Sequence, residues 1–247
     1  MPPLRLARRA ELTELMDGPE LDAATLAENL RDIRLLNRWL GWVAALTGEV
    51  AAAMRRAGLR ECTLFDVATG SADLPLALVA WGRRHGVAIR AFAGDLSPPI
   101  LAAARTEIAR SAPGTVALLC CDARALPLPD RGVDLVTCSL ALHHLGPGEA
   151  VAALRELGRV TRHALIVSDL ARGRLAYLGA RLLAIPFRNP LTRHDAAVSV
   201  LRAYTRAELA AFARAAGLEG ALVRARFPFR LILTWVPPRE AVSDRVH

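Results

Sequence analysis

Leu64-Phe65-Asp66-Val67-Ala68-Thr69-Gly70-Ser71-Ala72-Asp73-Leu74 is the stretch on which the fold turns. An apolar run carrying a carboxylate near its end gives way to small residues, and residues 72–84 then take helical spacing. The pattern predicts a strand, a tight turn and a helix. Small residues let a backbone approach a ligand closely, and a helix N-terminus presents free N–H groups. A dinucleotide site would carry G-x-G-x-x-G at this place. Gly70 is the one glycine of the turn, which suits a ligand that needs close approach and brings no pyrophosphate.

The same rhythm runs outward on both sides. Strands are predicted at 87–94, ending at Asp95, at 116–121, ending at Asp122, at 133–139 and at 164–169. Helices are predicted between them at 98–110, with Pro98 at the start, and at 149–160. Alternation at this spacing implies parallel βαβ units in a doubly wound sheet. Upstream, Leu26, Leu30, Ile33, Leu36 and Leu40 make 20–57 helical, with Gly41 and Gly48 expected to break or bend it. After Asp169 come an apolar helical run at 175–187 and a polar turn at 188–195. A helix at 205–217 follows, with Thr205 as N-cap, Glu208 as its capping-box partner and Gly217 at its end. Two closing strands, 221–227 and 230–236, are so close in sequence that they must pair as an antiparallel hairpin. The expected fold is α/β: a Rossmann-like seven-stranded sheet of five parallel strands plus that hairpin. A helical cap is expected over 1–57 and the sheet domain over 58–247, with an insert or lid at about 173–204. Pro237-Pro238 should end the fold and leave a loose tail.

Composition narrows the classes. The 247 residues are 53% hydrophobic, with a mean hydropathy of +0.27, so a sizeable core is expected. No apolar run reaches the roughly 18 residues of a membrane span, and no apolar region follows the basic N-terminus, so no secretory signal is expected. An integral membrane protein, a fibre, a repeat array and a disulfide mini-protein are excluded. All 32 cations are Arg, against 24 acidic residues, for a net charge of +8. They are scattered and form no block longer than two, which reads as compositional bias more than as a nucleic-acid face. The other reading is a footprint for nucleic acid or an anionic membrane surface. Without Lys, Schiff-base chemistry on lysine is excluded. Cys62, Cys120, Cys121 and Cys138 form no CxxC pair and have no His at zinc-ligand spacing. They read as buried strand residues in a reducing compartment. No metal is expected, and the location is expected to be cytoplasmic.

Asp95, just past the second strand, can accept the two ribose hydroxyls of an adenosine. Asp122 ends the third strand, within reach of an adenine amino group. It opens Cys121-Asp122-Ala123-Arg124-Ala125-Leu126-Pro127-Leu128-Pro129-Asp130-Arg131-Gly132-Val133-Asp134-Leu135-Val136, the most specific string in the chain. In order, DVATGSADLPLAL, GDLSPPIL, CDARALPLPDRGVDLVTCSLALHHL and RVTRHALIVSDL resemble the class I S-adenosyl-L-methionine (SAM)-dependent methyltransferases over about 100 residues. The nearest flavour is the ubiquinone/menaquinone C-methyltransferase-like group (methyltransferase domain 11/25 type) and its small-molecule O-methyltransferase relatives. The departures are Ala68 and Ala72, which stand where that family's loop has its first and third glycines.

The resemblance implies roles for residues at matching positions. Asp66 and the Ala68-Thr69-Gly70 backbone would face the methionine end of SAM, and Asp95 and Leu96 the ribose and adenine. Asp122 and Ala123 would meet the adenine edge, and Ser139 and Leu140 would border the sulfonium. Arg38, in Asn37-Arg38-Trp39, could pair with the SAM carboxylate. The product would be S-adenosyl-L-homocysteine (SAH). Ser139-Leu140-Ala141-Leu142 lacks the N/D-P-P-Y/F of amino-group DNA methyltransferases, and no Cys follows a Pro as in cytosine C5 enzymes, so nucleic acid is disfavoured as acceptor. His143 and His144, just past the fourth strand, are candidate bases near the acceptor. His194, in Arg193-His194-Asp195, is expected in a lid that faces the acceptor, with Arg188, Arg202 and Tyr204 as weaker candidates. The run LAYLGARLLAIPF could line an apolar pocket or lie on a membrane surface, and a plain cap helix is the simplest reading. The expected activity is methyl transfer to a small, fairly apolar acceptor. O-methylation of a phenol, hydroxyquinone or polyketide-like aromatic is placed ahead of C-methylation of a quinone precursor. An RNA or protein methyltransferase and a non-catalytic SAM- or NAD-binding module are the rival readings. No oligomeric state is implied.

Overall fold

The computed structural model describes residues 6, 8–18 and 22–238; the expected tail at 239–247 lies outside them. Its strands are β1 (Glu61–Val67), β2 (Ala88–Asp95), β3 (Val116–Cys120), β4 (Val133–Ser139), β5 (Thr161–Leu170), β6 (Leu222–Arg226) and β7 (Arg230–Trp235). They form a seven-stranded sheet in the order β3-β2-β1-β4-β5-β7-β6. β1 to β5 are parallel, and β7 lies antiparallel between β5 and β6. The chain first winds outward from β1 and then restarts at β4 on its other side. A crevice opens at such a switch point, at the carboxyl ends of the strands.

The helices are α1 (Ala23–Trp39), α2 (Trp42–Ala57), α3 (Asp73–His85), α4 (Pro98–Ser111), α5 (Pro147–Val160), α6 (Arg174–Ala184), α7 (Pro190–Arg202) and α8 (Arg206–Ala215). Strand side chains alternate between two cores, as the pleat requires. Leu64, Leu135, Ile166 and Ile232 pack under α2, α3 and α4. Their chain neighbours Phe65, Val136, Leu165 and Leu231 pack under α5 and α8. Each such buried side chain contributes about 1.5–3 kcal/mol. Among the described residues no helix is long and apolar enough to cross a membrane.

Three local expectations change. The helix over 20–57 breaks at Gly41, whose φ of 69° is left-handed, and the second half, α2, becomes a layer on the sheet. Gly48 stays inside α2. The predicted polar turn at 188–195 is mostly helix. Asn189 caps α7 by accepting the N–H groups of Leu191 (2.9 Å) and Thr192 (3.4 Å), and Pro190 occupies the first turn. Cys62, Cys121 and Cys138 are buried as expected, but Cys120 is exposed at the sheet edge, and all four are free.

Residues 8–18, which carry no sequence period, form a strap across the carboxyl end of the sheet. Arg9 donates to the carbonyls of Arg202 (2.7 Å), His143 (2.8 Å) and Leu145 (2.9 Å). The Ala10 N–H donates to Leu201 O (3.0 Å). Buried Asp195 accepts the N–H groups of Leu15 (2.8 Å) and Met16 (3.0 Å).

Candidate active site

A cavity of about 710 Å³ opens at the switch point, bounded by the strap, α1, the strand ends and the α6–α7 hairpin. One side of it is the turn after β1. The Thr69 N–H donates to Gly94 O (3.0 Å), and the Gly70 N–H donates to Asp95 Oδ2 (3.2 Å). Ala68, Gly70 and Ala72 have φ of 55°, 56° and 59°. The two alanines therefore hold left-handed conformations that cost a side-chain-bearing residue about 1–2 kcal/mol each. A Cβ on Gly94 would meet Cys121 Sγ and Phe65 Cζ, each at 2.8 Å, so β2 needs glycine beside this turn.

Asp66 is buried at the end of β1. It accepts Thr69 Oγ1–H (2.7 Å) and Thr137 Oγ1–H (2.6 Å). Burial pushes its carboxyl up to about 7, against the pull of those two hydroxyls. Burial also raises Asp95, opposed by the N–H groups of Ser97 and Gly70. Leu96 and Ala123 line the same cavity. Asp122 does too, but its carboxylate accepts Arg124 Nε–H (3.0 Å) and is held below the usual range by that bond. Arg124 also pairs with Glu149. Ser139 lines the cavity next to Leu140, whose φ is 57° and whose N–H donates to Ser168 O (2.8 Å).

The other side is built around His143. Its Nδ1–H donates to buried Asp169 (2.6 Å), which also accepts the His143 backbone N–H (3.0 Å). Burial alone would raise Asp169, but the charge and hydrogen bond of His143 hold it low. The bond to Asp169 fixes the ring's orientation and, in the neutral imidazole, puts the proton on Nδ1 and leaves Nε2 free to accept. That Nε2 lies 3.7 Å from Glu14 Oε1, a buried oxygen with no hydrogen-bond partner among the described residues. Glu14 Oε2 accepts Ser199 Oγ–H (2.7 Å). His144 faces Asp17 at 3.0 Å. Burial would lower His144, but the Asp17 hydrogen bond and the charge of Glu14 raise it. Arg202 donates to the carbonyls of His143 (3.1 Å) and His144 (2.7 Å), and Tyr204 OH donates to Leu145 O (2.6 Å). The ligand atoms of Glu14, His143 and His144 lie within 4.8 Å of one another and could also gather a divalent cation.

Arg230, at the start of β7, is a buried cation on the cavity wall. It donates to Asn37 Oδ1 (2.9 Å) and stacks on Trp42 (4.9 Å to the ring centroid). Burial lowers its pKa to about 10, against the charge of Asp169. Arg38 and His194 stand outside the cavity lining, as do the weaker candidates Arg188, Arg202 and Tyr204. Arg38 is on the exposed face of α1, one residue past the inward Asn37. His194 is on the outer face of α7, bonded to Asp195 (2.8 Å), and it is Asp195 that faces the cavity. Sequence reasoning gave no role to Asp169, Glu14, Asp17 or Arg230. Asp169 carried a signal, a carboxylate at a strand end like Asp66 and Asp95; the others reach the site only through tertiary structure.

Residues 64–164 match a family described as a methyltransferase domain. No curated protein matches the chain. Among solved structures, a Methanococcus maripaludis protein held to be a SAM-dependent methyltransferase aligns with a TM-score of 0.63 and 13% identity, over 95% of this chain and 100% of that one. Magnesium protoporphyrin IX methyltransferase from Synechocystis, with bound SAH, aligns with 0.54 and 20%, over 84% and 86%. PigF with SAH aligns with 0.53 and 18% over 70% of this chain, and the match spans half of PigF. Identities this low show the fold, which is the Rossmann-like class I methyltransferase fold that the motifs implied.

Proposed function

We propose that the chain transfers a methyl group from SAM to a small, fairly apolar acceptor, by O-methylation of a phenol, hydroxyquinone or polyketide-like aromatic. The observation that carries this reading is the gap between His143 Nε2 and Glu14 Oε1. Both residues line the cavity, and Glu14 Oε1 is buried with no hydrogen bond among the described residues, only His143 Nε2 and Arg202 Nε each at 3.7 Å. An acceptor hydroxyl entering beside this pair can give its proton to Nε2, and the imidazolium so formed would lie between the carboxylates of Asp169 and Glu14.

The cofactor side fits a SAM-sized ligand. The left-handed turn after β1 lines the cavity through Ala68, Thr69, Gly70 and Ser71, and Asp95 offers a buried carboxylate there. When bound, SAM supplies an electrophilic methyl on a sulfonium. The chain's own residues do the rest. Asp95, Gly70 and Asp66 orient the donor. Leu26, Leu30, Ile33, Leu183 and Val200 exclude water from the shared space. Asp169 aligns His143, which takes the acceptor's hydroxyl proton on Nε2. Arg230, a buried cation with no carboxylate at ion-pair distance among the described residues, favours negative charge on the acceptor. Proximity and desolvation supply most of the rate, with one base assisting.

Calorimetric titration of the full chain with SAM, SAH and NADH, repeated on Asp95→Ala, tests the donor. Micromolar binding of SAM and SAH that the substitution abolishes is expected, with none for NADH. Binding of NADH in place of SAM would overturn the reading. Labelled-methyl transfer to a panel of phenols and hydroxyquinones tests the acceptor, with His143→Gln expected to lower kcat by about 10²–10⁴-fold.

A further inference from the structure

Helix α6 has two unlike faces. Ala176, Ala180 and Leu183 point inward and line the acceptor side of the cavity. Leu175, Leu178, Leu182 and Ile185, at the outer surface, are 71%, 54%, 66% and 64% exposed. Their spacing of three, four and three residues makes them one stripe. The stripe is extended by neighbours. Phe229 packs on Gly179 of α6, and exposed Phe227 lies 6.2 Å from Phe229. At the other end, exposed Trp39 lies 6.0 Å from Phe187. A monomer's surface rarely gathers so many large apolar side chains without a use for them.

Charge says what the stripe faces. Arg174 and Arg181, seven residues apart in α6, stand along one edge of it, and Arg188 follows in the connection to α7; all three are exposed. None of the three makes an ion pair among the described residues, and Arg181 only stacks over Tyr177 at 5.9 Å. From Gly173 to His194 the chain has no Asp or Glu. A second copy packed across a two-fold axis would set these cations against each other with no local acid to neutralise them. A surface of anionic phosphates answers both features at once. With 11 residues, α6 can lie in a membrane interface but cannot cross a bilayer.

We propose that this face docks on an anionic lipid surface, the apolar stripe entering the headgroup boundary and the Arg row meeting lipid phosphates. Only α6 then separates the acceptor cavity from the lipid, which gives an apolar acceptor a short route in. That second clause rests on the proposed function; the docking itself does not.

The test is co-sedimentation of the full chain with vesicles of phosphatidylglycerol and phosphatidylcholine in equal parts, and of phosphatidylcholine alone. Binding to the mixed vesicles is expected, weakened at least tenfold on pure phosphatidylcholine and by raised salt. Leu178→Asp with Leu182→Asp should cut binding at least tenfold. So should Arg174→Gln, Arg181→Gln and Arg188→Gln together, which leave the apolar surface untouched. All these side chains are exposed, so thermal melts and SAM affinity should not move. Three results would overturn docking: no sedimentation with either vesicle, sedimentation unaffected by both sets of substitutions, or a dimer that Leu182→Asp dissociates and that shows no affinity for vesicles. SAM titration of the same samples reports on the methyltransferase reading separately.

Discussion

The carboxyl of Asp66 sits where charge is costly, and its pKa makes that measurable. A carboxyl near 3.8 in the unfolded chain and about 7 in the fold binds its proton more tightly when folded. Its contribution is therefore full below about pH 4 and is lost as pH rises toward 7. Asp66→Asn keeps the shape and cannot ionise. Relative to the parent, the variant should gain about 3 kcal/mol between pH 4.5 and pH 8, read from urea unfolding at both values. A difference that stays flat with pH would mean that the hydroxyls of Thr69 and Thr137 carry the charged form. The two alanines next to Asp66 separate two effects of similar size. Ala68 is partly open to the cavity, so Ala68→Gly loses little packing, relieves a left-handed φ, and should gain up to about 1 kcal/mol. The Ala72 methyl is fully buried, and its loss costs about 0.8 kcal/mol, so Ala72→Gly should come out within about 0.5 kcal/mol of neutral. Unfolding midpoints of the two variants test the contrast. These residues were legible because strand ends and small-residue turns announce themselves. Arg38 was not placed, because one helical step decides whether Asn37 or Arg38 turns inward.

At the scale of elements, the pieces with a strong period were legible and the piece without one was not. β4 spans 133–139 as read, and the capping box of Thr205 and Glu208 forms at α8. The start of α7 was read as a turn because its polar residues hid the signal of Asn189 and Pro190. The strap could not be read at all, since its hold on the fold is long-range: Glu14 meets Ser199, and Asp17 meets His144 and Arg202. Arg202 joins strap, histidine pair and α7 in one buried guanidinium. Arg202→Met would take the Arg202 donor from the His144 carbonyl, leave the His143 carbonyl to Arg9 and leave Asp17 to His144. A loss of about 2–4 kcal/mol is expected in urea unfolding. Hydrogen exchange should speed up in both 8–18 and 140–145. Faster exchange confined to α7 would mean that the strap is held by Arg9 and Asp195 alone.

At the scale of the whole molecule, the cavity joins parts that the sheet alone does not hold together: strap, α1, turn after β1 and α6–α7 hairpin. A ligand that bridges them should stabilise the chain as one unit. At a hundredfold excess over its Kd, a ligand binding only the folded state adds about 2.7 kcal/mol. For a domain of 247 residues, that is a rise of roughly 5–10 °C in Tm. SAH should give this shift and NADH should give none. The sheet order then divides the cavity by distance. β7 stands three strands from β1, about 14 Å at the usual strand spacing. Arg230 is therefore on the acceptor side and the turn at 68–72 on the donor side. Arg230→Met should leave the SAH shift within about 1 °C of the parent's while raising the KM for an acidic phenol at least tenfold, as loss of a charge-assisted contact would. Scanning fluorimetry and initial rates on the same preparation read both. If the variant lost the SAH shift and kept its acceptor KM, Arg230 would belong to the donor's carboxylate, and the two halves of the cavity would have to be exchanged.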